Sequence, residues 1–299
     1  MSMPTQQVPS PSSGLSEWLH PRTLMARGRL AVLVALVFLT IGAWAMTIYQ
    51  ARSMDMAMGI AARGGAADDA MGDMSGMAMS GVTGTDWSVS GALTFLGVWA
   101  VMMAAMMLPA ATPMLLLFGT VHAKRRAQGG IFVPTWIFAT GYLLVWSVIG
   151  AGTYVLIQLG SDLATRIDAG NRATWSPLVL GATLGLAGLY QFTPLKRACL
   201  GHCRSPFGFV MEHWREGRLG ALRMGVHHGA YCLGCCWALF AVLVAAGLMS
   251  LAWMLLLTLV VFIEKVIPQG RRAATGVGFA LLALGVLVAA GATGMPWAT

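Results

Sequence analysis

Charge is scarce in this chain. Asp, Glu, Lys and Arg make up 10% of its 299 residues, against roughly 25% in ordinary globular domains. That scarcity excludes a conventional soluble protein. No Gly-Lys-Ser or Gly-Lys-Thr closes a glycine-rich loop anywhere in the sequence, so it has no phosphate cradle of that kind and no ATP-driven cycle of its own. Cysteine is missing from every position before Cys199 and after Cys236.

What is abundant is apolar. Hydrophobic residues reach 57%, and runs of about 20 of them recur, the length that crosses a ~30 Å hydrocarbon core. The expected fold is all-α, a polytopic membrane bundle of about seven transmembrane helices. A polar tail over residues 1–28 carries Pro4, Pro9, Pro11 and Pro21 and is expected to be disordered. The first span is expected over 30–49; it is too long for a usual signal-peptide core of roughly 7–15 residues, so an uncleaved helix is the preferred reading. Further spans are expected near 90–121, 131–159, 175–192, 225–248, 251–267 and 273–292. Gly181, Gly185 and Gly188 in the fourth suit close helix packing.

The net charge of +8 reads as topology, not as nucleic-acid binding. With a cytoplasmic N-terminus and an outside C-terminus, only Arg52, Arg63, Arg166 and Arg172 of the 19 Lys and Arg fall outside. The positive-inside rule favours that arrangement. It places residues 51–89 outside and the cysteine-bearing segment at the cytoplasmic face of a bacterial inner membrane.

The segment Leu195 to Trp237 holds all five cysteines and four of the six histidines. His228, Cys232 and Cys235 or Cys236 follow i, i+4, i+7 or i+8 spacing, which puts them on one helical stripe. Cys199 and Cys203 lie four apart and share a face if their stretch is helical. With His202 and His227 nearby, the set Cys199, His202, Cys203, His227, His228, Cys232, Cys235 and Cys236 is the candidate metal site. Thiolates favour Cu(I), Zn(II) and iron–sulfur clusters, and imidazole suits zinc and copper. In a reducing cytoplasm, clustered cysteines point to metal or catalysis rather than structural disulfides. The plainer alternative is that buried cysteine serves as a small hydrophobe.

Methionine narrows the metal. Met54, Met56, Met58, Met71, Met74, Met77 and Met79 stud the expected outside loop with Met-x-Met and Met-x-x-Met spacing. Thioethers are soft ligands that prefer Cu(I), so this loop is a candidate capture site. Met102, Met103, Met106 and Met107 on the second span form a candidate relay, with core packing as the alternative. Pro109 and Pro113 suggest a kink there. Glu264 and Lys265 read either as a functional pair within a span or as an interfacial anchor. His20, His122 and His213 read as ordinary interfacial residues.

Four stretches carry a resemblance: Trp99 to Pro109, Tyr190 to Pro206, Gly225 to Trp237 and Ala252 to Lys265. The string Tyr231-Cys232-Leu233-Gly234-Cys235-Cys236-Trp237 is the most specific of them. Together, over residues 90–268, they resemble a bacterial domain-of-unknown-function family, number 2182, of predicted metal-binding integral membrane proteins. The resemblance implies a membrane protein that binds metal through Cys199, Cys203, Cys232, Cys235 and Cys236 with the methionine pairs of the second span.

These readings make the protein a soft-metal binder, expected to transport, relay or deliver Cu(I), with the bilayer, the metal ion, and a copper chaperone or copper enzyme as partners. An enzyme is the less favoured reading. The alternatives are a membrane thiol–disulfide oxidoreductase using the Cys232-x-x-Cys235 pair, or a structural zinc site.

Overall fold

The computed structural model describes residues 21–53, 87–129, 133–165, 169–247 and 250–291. The methionines from Met54 to Met79, and His20, lie outside the described residues. Among those described, all regular structure is helical: α1 Pro21–Ser53, α2 Val89–Ala127, α3 Thr135–Thr165, α4 Ala169–Gln191, α5 Pro194–Arg204, α6 Pro206–His213, α7 Gly217–Ala246, α8 Leu251–Val266 and α9 Gly270–Ala289.

Each expected span coincides with a helix, but the helices are not equivalent. α1, α2, α3, α7 and α9 contain apolar stretches long enough to cross a membrane alone. A sixth crossing exists if α4 and α5, which meet at a 66° bend, count as one broken span. The 16 residues of α8 extend about 24 Å at 1.5 Å each, short of a ~30 Å core. Large apolar side chains such as Phe38, Leu156, Leu186 and Val286 point outward. An apolar exterior of this kind fits a bundle solvated by lipid, which imposes no penalty on exposed hydrocarbon.

Local sequence sets the helix starts. Ser88 caps α2 by accepting from the Gly91 amide at 3.1 Å, and Thr193 caps α5 by accepting from the Lys196 amide at 3.3 Å. Such caps satisfy amides that have no partner inside the helix. Pro194 follows at the first position of α5, where its missing N–H costs nothing. α2 runs unbroken for 39 residues through Pro109 and Pro113. These prolines leave the Ala105 and Pro109 carbonyls without their usual helical donors.

α7 is the central post, in contact with α3, α4, α5 and α8. It crosses α3 backbone to backbone. A Cβ on Gly225 would run into the Phe138 carbonyl, and one on Gly141 into the Leu222 carbonyl. α4 and α9 pair in the same manner. A Cβ on Gly181 would stand 2.7 Å from the Gly285 carbonyl oxygen, and one on Gly188 would stand 2.9 Å from that of Gly278. Small residues that let backbones approach are the usual device for helix association in lipid. Gly181 and Gly188 are used as their spacing suggests, whereas a Cβ on Gly185 would meet nothing within 4 Å.

Candidate metal centre

The stretch 193–224, left between the expected spans 175–192 and 225–248, is mostly helix. The bend after Gln191 turns α5 against α7. Cys199 and Cys203, one helical turn apart, are thereby presented to the cysteines of α7. The Cys203 and Cys235 sulfurs lie 3.9 Å apart. The Cys199 sulfur sits over Gly234, 2.7 Å from where a Cβ would stand, so the glycine makes room for the thiol. The Tyr190 hydroxyl donates to the Gly234 carbonyl, and its ring meets Trp237 edge-on at 5.0 Å. These contacts clamp the end of α4 to α7.

All five cysteines are free thiols; Cys232, Cys235 and Cys236 are buried, while Cys199 and Cys203 are half-buried. Cys235 and Cys236 both donate to the Cys232 carbonyl, at 3.0 and 2.8 Å. The Cys232 sulfur has two further partners. It accepts from the Lys265 ammonium at 2.8 Å and shares a hydrogen bond with the Tyr142 hydroxyl at 3.0 Å, which either atom can donate. Sulfur is a weak hydrogen-bond acceptor as a thiol and a strong charged one as a thiolate. An ammonium donor is therefore the partner that best suits the thiolate form.

A second polar layer holds this arrangement. Lys196 and Glu264 form an ion pair at 2.7 Å with side chains 1% and 2% exposed. Gln191 donates to the other Glu264 oxygen at 3.2 Å. Arg204 donates to the Glu264 and Pro268 carbonyls at 2.6 and 2.8 Å. Buried charges persist in a low dielectric only when paired and hydrogen-bonded, and here each has a partner. The layer ties α5 to the end of α8, which presents Lys265 to Cys232. Glu264 and Lys265 are thus interior groups and not an interfacial anchor.

The histidines separate from the thiols. His202 donates its Nδ1–H to the Ala198 carbonyl at 3.0 Å and stacks on Tyr231 at 4.3 Å. His227 does the same to the Arg223 carbonyl at 3.0 Å, with its ring 5.6 Å from His213. A carbonyl can only accept, so each ring keeps an unprotonated Nε2 in its neutral form. His228 is buried among Phe138, Tyr142 and Phe209, and its Nδ1 has no hydrogen-bond partner. His122, read from sequence as interfacial, is 2% exposed. It lies between Phe118 and Trp214 at 4.4 and 4.9 Å, with neither ring nitrogen bonded.

The eight candidate ligands therefore form a sulfur interior and an imidazole rim, with His228 between them through Tyr142. Among the described residues, no three His, Cys, Asp or Glu side chains are already arranged around one point as ligands. Cys203 and Cys235, from different helices, bring their sulfurs to 3.9 Å. Met102, Met103, Met106 and Met107 are all buried, as are Met224 and Met254, in the same apolar core as Cys232, Cys235 and Cys236.

Sequence reasoning missed Lys196 and Tyr142 altogether. Lys196 stood among many basic residues with nothing to mark it, and a lone tyrosine in an apolar run carries no signal. Glu264 and Lys265 did carry one, as adjacent ionisable groups at the end of a hydrophobic run.

No curated protein and no solved structure matches the chain. A family model described as PpoB2, copper chaperone, matches residues 96–288. The match takes in α3 to α8 and most of α2 and α9, and with them all five cysteines, Met102, Met103, Met106, Met107, Glu264 and Lys265. It covers well over half of the 299 residues, and on that ground the chain belongs to the PpoB2 copper chaperone family.

Proposed function

We propose that this protein binds Cu(I) at the thiol cluster of α5 and α7 and holds it within the membrane for transfer. The observation that carries this reading is the Cys203–Cys235 sulfur separation of 3.9 Å, with Cys232 and Cys236 on the same helix. At a sulfur–metal distance of roughly 2.3 Å, two thiolates stand roughly 3.8 Å apart in tetrahedral and roughly 4.0 Å apart in trigonal coordination. The pair has the spacing of sulfurs that share one ion. A third sulfur would come from Cys232 or Cys236 by a rotation about the Cα–Cβ bond.

Copper is the cargo here. Soft thiolates and thioethers suit the monovalent ion, and the family is one of copper chaperones. Met54, Met56, Met58, Met71, Met74, Met77 and Met79 would collect the ion outside. Met102, Met103, Met106 and Met107 would pass it inward along α2. His202 and His227 would line the rim where it meets a partner, with the buried His228 between that rim and the thiols. The residence is a bacterial inner membrane, with the thiols towards the cytoplasm. The motifs shared with domain-of-unknown-function family 2182 agree with this reading.

The oxidoreductase alternative gains little support. Cys232 and Cys235 lie in the interior of the 30-residue helix α7, away from the helix N-terminus that activates thiols in Cys-x-x-Cys motifs. A Cu(I) competition titration of purified protein under anaerobic, reducing conditions tests the proposal. One tightly held ion per chain is expected in the wild type, and Cys203→Ser with Cys235→Ser should abolish it. A wild type that never competes for Cu(I) would sink the reading.

A further inference from the structure

A cleft of about 270 Å³ opens between the α4–α5 bend and the first turn of α9, next to the polar layer described above. Its basic wall is Arg197, Arg271 and Arg272, and Phe192, Leu200 and Ala274 supply apolar surface beside it. Among the described residues these three arginines make no ion pair. Lys196 also lines the cleft, but its charge is already matched by Glu264.

Two features of this arrangement point to an anionic ligand. Arg271 and Arg272 open α9, and no acidic residue occupies its first turn. Their charges therefore add to the positive end of the helix dipole, where an anion is favoured and a cation is not. The second feature is Gln191, which is 4% exposed and lines the cleft. Its Nε2 donates to Glu264. A carboxylate cannot donate in return, so the amide is fixed with Oε1 as the other atom. That oxygen is buried without a hydrogen-bond partner. The cleft thus combines three arginines outside any ion pair with a buried amide oxygen that has no donor among the described residues.

We propose that the cleft binds the headgroup of an acidic phospholipid. The phosphodiester would lie on Arg197, Arg271 and Arg272, a headgroup hydroxyl would donate to Gln191 Oε1, and the acyl end would leave along the apolar wall. At ~30 Å³ per water, the cleft has the capacity of roughly nine water molecules, enough for a glycerophosphoryl group. Basic pockets between helices at the membrane interface are the usual setting for acidic headgroups. A free phosphate would satisfy the arginines but would leave the apolar wall unused.

Native mass spectrometry of the full chain in detergent doped with phosphatidylglycerol or phosphatidylcholine tests this without copper. Wild type should prefer phosphatidylglycerol by at least about tenfold. At ~1 kcal/mol per basic residue, or about fivefold each, Arg271→Gln with Arg272→Gln should weaken that binding roughly 25-fold. Arg29→Gln on α1 should leave it unchanged, and Arg271→Lys with Arg272→Lys should keep it within a few fold. Inorganic phosphate at matched concentration should fail to displace the lipid. Equal retention of the two lipids by wild type overturns the proposal even if the glutamine variant does not fold. So does a folded glutamine variant that binds like wild type, or displacement by inorganic phosphate.

Discussion

The Lys265 ammonium donates to the Cys232 sulfur over 2.8 Å, inside the bundle and within a cluster of five free thiols. A fixed positive charge beside the proposed copper site bears on which ion that site accepts. Coulomb repulsion scales with the charge of the incoming ion, so a divalent ion is penalised twice as much as a monovalent one. Lys265→Met should therefore raise Zn(II) affinity relative to Cu(I) by at least roughly tenfold. Parallel competition titrations with the two ions measure it, and an unchanged ratio would remove the lysine from the selectivity argument.

The Lys196–Glu264 pair makes a stability prediction with a definite sign. Removing one member of a buried ion pair leaves the other uncompensated, at a cost of about 3–5 kcal/mol. Lys196→Met should lower the thermal unfolding midpoint markedly. Adding Glu264→Gln should recover part of the loss, because Gln191 and Arg204 keep neutral partners there. If the double variant is no better than the single one, the ion pair is not what holds α5 to α8.

How far the sequence disclosed this arrangement can be judged from these same residues. Helix positions followed from hydrophobic run lengths, and the thiol stripe of α7 followed from i, i+4 spacing, because both depend on local periodicity. The broken α4–α5 span did not. A bend at Thr193 and Pro194 looks like a loop when read as composition, although it turns Cys199 and Cys203 towards α7. Lys265 meeting Cys232 is a contact between residues 33 apart on different helices, and no local pattern encodes such a pairing. The burial of His122 was illegible for the same reason: besides Phe118 it packs against Trp214, in the connection between α6 and α7.

The α3–α7 crossing predicts a sharp contrast between glycines. Gly225→Ala puts a methyl group against the Phe138 carbonyl, an overpacking that costs on the order of 1–3 kcal/mol. Gly97 has nothing within 4 Å of a built Cβ, so Gly97→Ala should be neutral or stabilising by up to ~1 kcal/mol. Thermal unfolding in one detergent compares the two. Equal effects would mean that the helices do not cross at Gly225.

The methionines of α2 separate packing from relay. Met103→Leu and Met107→Leu conserve volume at fully buried positions, so stability should change by less than about 1.5 kcal/mol. A thioether route instead predicts that Cu(I) uptake by the thiol cluster slows several-fold with no change in equilibrium affinity. Stopped-flow transfer from a Cu(I) donor reads both quantities. Unaltered kinetics would leave these residues with a packing role alone.

X-ray absorption at the copper edge of anaerobically loaded protein tests the central claim most directly, because it counts the ligands. The expected spectrum is that of Cu(I) bound by two or three sulfurs, with the sulfur shell lost in Cys203→Ser with Cys235→Ser. A first shell of nitrogen and oxygen alone, or a sulfur shell unchanged in that variant, would contradict a copper site built on Cys203 and Cys235.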